Sequence, residues 1–373
     1  MAAGKLLVPI TLFLALWVAG FPDVANKDKP QRGEWDFKLQ KVWEIARAGD
    51  DVLGRPQGIA VSDDGTLYVS DDANRIDYIV SPGGRLIRSF AKRGEGPGEV
   101  QRHGRFFLAD SRVIVPDMGR IHYFTKEGGY LRTVQKDCEP RAFIDENRLI
   151  DAPLSAVFLP EGKGQIRLCD LRSGKDTVIS EFSAFEGGIA RNDGRVEVDI
   201  IVPLFSPLMT VGYSRDRLYW GMSDRYMIRV TDLEGRRITS FSVDRKKSTV
   251  SAKDKREYFK SDNMPAEMLQ QIVDGLPDEV TCFHRIEVHD NLVFVYVPEI
   301  DLDNKSLRTR QIDLFSPEGR YLYKAHLNFG KDRTPLFSPL QNIVIRDGFL
   351  YAVLQDDEDR VLLAKYRISL PTP

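Results

Sequence analysis

Cysteine is scarce: three residues in 373, Cys138, Cys169 and Cys282, are too few for a disulfide-built scaffold. They allow one bridge, with Cys138 and Cys169 the closer pair, and equally suit three buried thiols acting as small hydrophobes. No C-x-x-C and no Cys/His spacing of a zinc site occurs. An excess of one charge is missing as well. The formal net charge is −2 and no polybasic tract is present, so nucleic-acid binding has no electrostatic basis. The motifs G-K-[ST], G-x-G-x-x-G, G-x-S-x-G and H-E-x-x-H are absent. The acidic stretches 299–306 and 355–360 lack the glycine and terminal glutamate of an EF-hand loop. They read as solvated hairpin tips, with a loose calcium site as the alternative.

Long apolar runs are also absent. Residues 6–20, "LLVPITLFLALWVAG", fall short of the ~20 residues that a bilayer-spanning helix needs. Lys5 before this run and the small residues Val18, Ala19 and Gly20 at its end fit a secretory signal peptide over 1–20. An uncleaved anchor is the alternative, and no cysteine nearby could carry a lipid. The expectation is a monomer exported to the periplasm or beyond, with no stable membrane span after cleavage. Residues 21–33 are expected as a linker and 34–373 as the folded domain.

What the chain has is a repeat. Residues 56–90 parse into four short β-rich segments, "GIAV", "TLYVSD", "ANRIDYIV" and "RLIRSF", separated by the turn signals "DDG" and "SPGG". Residues 105–134 repeat the order, matching Asp71 with Asp117, Arg75-Ile76 with Arg120-Ile121, and Gly84 with Gly129. Looser or shorter copies follow at 141–182, 211–241, 286–329 and 343–370. Their second strands begin at Leu67, Val113, Leu149, Leu218, Leu292 and Leu350. Recurring four-stranded units of this size predict an all-β fold, a six-bladed β-propeller of four-stranded antiparallel blades. The sixth copy stops after three strands. The unassigned segment 34–46 at the other end can supply its outer strand and close the ring, which would otherwise leave unpaired edges. A two-sheet sandwich would not need this residue order to recur.

"RPQGIAVSDDGTLYVSD", the Arg-Ile step and "RGEGPGEV" resemble NHL-repeat propellers, specifically bacterial exported six-bladed propellers of that type, over about 34–370. The resemblance implies the propeller fold and no single activity. Related propellers are mostly binding scaffolds, with some lactonases and lyases among them.

Between copies four and five, residues 248–280 do not read as strand. Ser251 with Asp254 fits an N-cap and acidic first turn, Pro265 a helix start and Gly275 a helix end. Met268, Leu269, Ile272, Val273 and Leu276 fall on one helical face. A helical hairpin is predicted, its apolar face packed on the blades, with a lid or docking role as the alternative. Residues 183–208 are expected as a loop or extended hairpin. The glycine-rich "GEGPGE", 94–99, leads into strands and not into a helix N-terminus, so it reads as a joint between blades and not as a phosphate cradle.

Residues leading into each innermost strand should ring the mouth of the central pore. These are Gln57, His103, Arg141 and His284, with Gln341 a weaker match. A polar ligand site there is one reading, and strand-start residues bonding to loop backbone are the simpler one. No cofactor is expected. A metal ion in the channel is an alternative occupant, although Arg141 would discourage a cation and favour an anion. The function expected is a scaffold that binds a protein partner or small ligand at the pore-mouth face, without nucleic acid. The alternatives are a lactonase-like hydrolase or lyase with a polar or metal site in the channel, and a structural module of an envelope complex.

Overall fold

A computed structural model describes residues 23–153, 163–183, 189–192, 195–199, 205, 207–260, 265–301, 306–336 and 342–372. It forms a six-bladed β-propeller. The innermost strands of successive blades are Pro56–Val61, Phe107–Ala109, Pro140–Phe143, Met209–Ser214, Arg285–His289 and Ile343–Arg346. Each blade continues outward as an antiparallel meander. Apolar residues from both faces of each blade pack against its neighbours. Tyr68, Phe106 and Phe124 sit between blades one and two, and Phe241, Phe315 and Tyr321 between blades four and five.

The repeated aspartate has a physical reason. Asp71 accepts hydrogen bonds from the backbone amides of Gly54 (2.8 Å) and Arg55 (2.9 Å). Asp117 does the same for Gln101 (2.9 Å) and Arg102 (3.0 Å), and Asp151 for Glu139 (2.6 Å). Each carboxylate thus ties down the loop that leads into its blade's inner strand. Burial alone would raise the Asp117 pKa, but His122, 3.4 Å away, and the bonds from these amides hold it down at about 2.

A second repeated position lies on the third strand of five blades, directly after the repeated isoleucine: Asp77, His122, Arg167, Arg229 and Asp313. Asp77, His122 and Asp313 are buried in the blade stack, whereas Arg167 is half-buried and Arg229 exposed. Asp77 pairs with His103, His122 with Thr133, Arg167 with Asp151, and Asp313 with Arg245, while Arg229 lies over the Trp220 ring.

The ring closes as the sequence suggests, although only part of 34–46 is used. Gln40–Ile45 pairs antiparallel with Val361–Arg367 as the outer strand of blade six. Trp43 seals that joint. Its Nε1 donates to Pro82 O (2.9 Å), and its ring lies where a Cβ on Gly84 would come within 2.9 Å. Gly84 is at φ +82°, so glycine is favoured there on both counts. Glu34–Asp36 instead adds in parallel to Tyr321–His326 of blade five. Upstream, where a linker is expected, Asp23–Lys27 adds in parallel to Arg237–Asp244 of blade four. The N-terminal segment is therefore a belt over the outer edges of blades four and five. The Asn26 side chain donates to Ser242 O (3.0 Å) and Gly319 O (2.9 Å) and accepts from Tyr321 N (3.0 Å), joining the two blades.

Two helices, α1 (Ala252–Phe259) and α2 (Ala266–Gly275), stand between blades four and five. Ser251 Oγ caps α1 by accepting from Asp254 N (3.1 Å). Ile272 of α2 and Leu276 just after it pack with Phe205, Val250 and Val280. The apolar face is consumed in a satellite core built from the connections themselves. Within 183–208, Ile189–Asn192 and Arg195–Asp199 form a hairpin. The GEGPGE joint folds on itself: Glu99 Oε2 accepts from Gly96 N (3.0 Å) and Arg93 bridges to Val100. All three cysteines are free thiols, with Cys138 packed against the cluster that holds Cys169. Among the described residues, no helix is long and apolar enough to cross a membrane.

Candidate functional site

The six innermost strands surround a cavity of about 330 Å³ on the propeller axis. Every blade contributes to its wall. Ala60 and Val61 come from blade one, Arg105 and Phe107 from blade two, and Arg141 and Phe143 from blade three. Val211 and Tyr213, then Arg285, Glu287 and His289, then Val344 and Arg346 complete the circuit. The wall is contiguous along several blades, as in 105–108, 141–143 and 285–289, with Arg105 in the connection just ahead of the blade-two inner strand.

Four arginines face one carboxylate, and three of the four are occupied. Arg141 Nε donates to Ala152 O (2.6 Å) and its Nη2 pairs with Glu139 (3.1 Å). Arg285 pairs with Glu287 Oε1 and lies over the Tyr296 ring at 4.7 Å. The other Glu287 oxygen accepts from Tyr296 OH (2.6 Å). Arg346 donates to Val61 O (2.7 Å) and pairs with Asp63. Arg105 has no hydrogen-bonded or ion-paired partner among the described residues, and its Nε is shielded from solvent. Its guanidinium lies 5.8 Å from the Phe107 ring centre, and Phe107 in turn packs on Phe143 at 5.2 Å. Burial, with the Arg141 and Arg285 charges adding to it, brings the Arg105 pKa down to about 9. His289 stacks on Phe294 at 4.0 Å, and its Nε2 is likewise shielded and unpartnered.

Of the residues expected at the pore mouth, Arg141 lines this cavity. His103 and His284 are turned away from it. His103 is buried between blades one and two, its Nδ1 2.8 Å from Asp77 Oδ1. Burial raises the Asp77 pKa, and His103 partly offsets the rise. His284 immediately precedes the channel residue Arg285 and is buried beside Tyr296, ring centres 6.3 Å apart. Gln57 is half-buried on the inner strand of blade one and is not part of the cavity wall. Gln341 lies outside the described residues. The channel residues that sequence reasoning passed over, Arg105 and Arg285, stand two and one positions beyond the histidines it chose. The signal was Arg itself, in "HGRFF", "EPRAF" and "CFHRI". No group of three or more His, Cys, Asp or Glu side chains able to hold a metal occurs among the described residues.

Burial, reinforced by the Arg285 charge, lowers the His284 pKa from 6.5 to about 3. Between those values the unfolded chain takes up a proton that the native protein does not, so stability falls as pH drops through this window. Acidifying from pH 7 to 5 should cost about 2 kcal/mol through this group alone. Urea midpoints at both pH values, for the protein and for His284→Gln, check this. An identical pH dependence in the variant would contradict it.

No family model and no curated protein matches the chain. Among solved structures it is similar to a candidate exported protein of Bacteroides fragilis, at 14% identity and a TM-score of 0.52, covering 94% of this chain and 100% of that one. It is also similar to a member of the DUF4221 family from Bacteroides vulgatus, at 11% identity and a TM-score of 0.50, covering 90% and 99%. Likeness at this level concerns the fold alone.

Proposed function

We propose that this chain is an exported, NHL-like propeller that acts as a binding scaffold and takes a small ligand in its central channel. The observation that carries the reading is the channel itself: one cavity walled by all six blades, holding polar atoms that have no hydrogen-bond partner among the described residues. Its volume is at the lower end of the ~300–1,000 Å³ usual for ligand sites. Binding is favoured over hydrolysis or elimination by the state of the one channel carboxylate. Glu287 is held by Arg285 and Tyr296, a poor arrangement for a general base. Export rests on the composition of residues 1–20.

The test is a thermal-shift screen of a small-metabolite library against the protein and against Phe107→Trp, whose larger ring would crowd the channel. A ligand at 100 times its Kd should stabilise the protein by about 2.7 kcal/mol, and the variant should lose that shift while keeping a cooperative unfolding transition. A ligand that shifts both proteins equally, or a library that shifts neither, overturns channel binding.

A further inference from the structure

We propose that the channel ligand is a small organic oxyanion with an apolar body, its carboxylate or phosphate ester group taken by Arg105 and its body laid against Phe107 and Phe143. This rests on the channel being the ligand site and adds the ligand's chemistry.

The argument begins with an imbalance. Arg105 is half-buried, and its shielded Nε finds no acceptor among the described residues, so a group that offers it one gains directly because an unmade buried hydrogen bond is unfavourable. Three of the four channel arginines have such partners within the protein. Arg105 has none among the described residues, and its Nε is closed off from solvent. Arg141 and Arg285 add positive charge around it, as its lowered pKa records, and Glu287 is already committed to Arg285 and Tyr296. A bound oxyanion would answer Arg105 directly, since guanidinium donors match carboxylate and phosphate oxygens in geometry as well as charge.

The second part of the ligand follows from the wall beside Arg105. Phe107 lies between the guanidinium and Phe143, and the two rings form a continuous apolar surface. An inorganic anion would leave that surface uncovered, whereas an aryl or alkyl group attached to the oxyanion would cover it. A cationic ligand is disfavoured by the four arginines.

The experiment is calorimetric titration of the full-length mature protein with benzoate, phenyl phosphate, benzamide and inorganic phosphate, repeated on Arg105→Gln and Phe143→Ala. Benzoate or phenyl phosphate should bind at least tenfold more tightly than the neutral benzamide and more tightly than inorganic phosphate. Which of the two is preferred identifies the head group. Arg105→Gln should weaken that anion by about tenfold to a hundredfold, the range for a charge-assisted hydrogen bond. Phe143→Ala should weaken the aryl anions while leaving inorganic phosphate unchanged. Benzamide binding as well as benzoate, or Arg105→Gln binding as the parent does, overturns the proposal. A neutral or cationic library compound that binds the channel, and is lost in Phe107→Trp, refutes the anion while leaving channel binding intact. Failure of every compound to bind overturns both.

Discussion

Replacing Asp313 by alanine is expected to lower the unfolding free energy by about 3–5 kcal/mol. Asp313 is fully buried on the third strand of blade five. It accepts from Arg245 Nη1 (2.7 Å), Tyr226 OH (2.5 Å), Tyr321 OH (2.7 Å) and Gln311 Nε2 (2.9 Å). Burial opposes the Arg245 charge, yet Asp28 and Asp313 hold its pKa above the ordinary value. Removing Asp313 leaves a partly buried cation facing two tyrosine hydroxyls with no acceptor between them. Asp313→Asn keeps the shape and some of the bonds and should cost less. Asp28→Ala breaks only the more exposed arm of the network and should cost about 1 kcal/mol. Urea denaturation followed by tryptophan fluorescence gives all three values. A loss under 1 kcal/mol for Asp313→Ala would show that the network is incidental.

The second large effect concerns ring closure. A chain lacking residues 1–46 loses the outer strand of blade six and with it the pairing along Val361–Arg367. It also loses Trp43 and Ile45, which pack on the core between blades six and one. Two half-buried side chains at about 1 kcal/mol each, together with the lost strand hydrogen bonds at ~1 kcal/mol each, come to about 5 kcal/mol in total. The expected result is loss of the near-ultraviolet circular dichroism signal and elution as aggregates, because the exposed strand is an edge open to pairing with other chains. A peptide of residues 34–46 added in trans should restore folding. A monomer with an unchanged unfolding midpoint would mean that the ring holds without its closing strand. Removing only Asp23–Lys27 uncovers the edge of blade four and leaves the ring closed, so its effect should be the smaller of the two.

The blades were legible because their signals are local. Turn residues such as Gly84 and β-rich segments such as "TLYVSD" act within a few residues, and Asp71 and Asp117 recur because each caps the loop into its own blade. The helical hairpin was legible for the same reason, through Ser251 and the apolar spacing of α2. The belt was not. "DVANK" is short and mostly polar, and it becomes a strand only because blade four offers it an edge. The third-strand polar position was also hidden. Asp77 and Asp313 occupy the same place in the repeat, yet their partners, His103 and Arg245, come from different distances along the chain.

The amino-acid sequence by itself determined a six-bladed propeller, the terminal strand that closes it and the helices between blades four and five, because turn chemistry, apolar periodicity and repetition suffice for those. It also drew attention to the start of the inner strands. Which side chains face the axis was decided only by tertiary structure. His103 and Arg105 lie in the connection that leads into blade two, and His284 stands just ahead of the strand Arg285–His289, so the packing of neighbouring blades sets which of them reaches the channel. His103 and His284 therefore pack between blades, while Arg105 and Arg285, one or two residues further on, meet Arg141 at the centre.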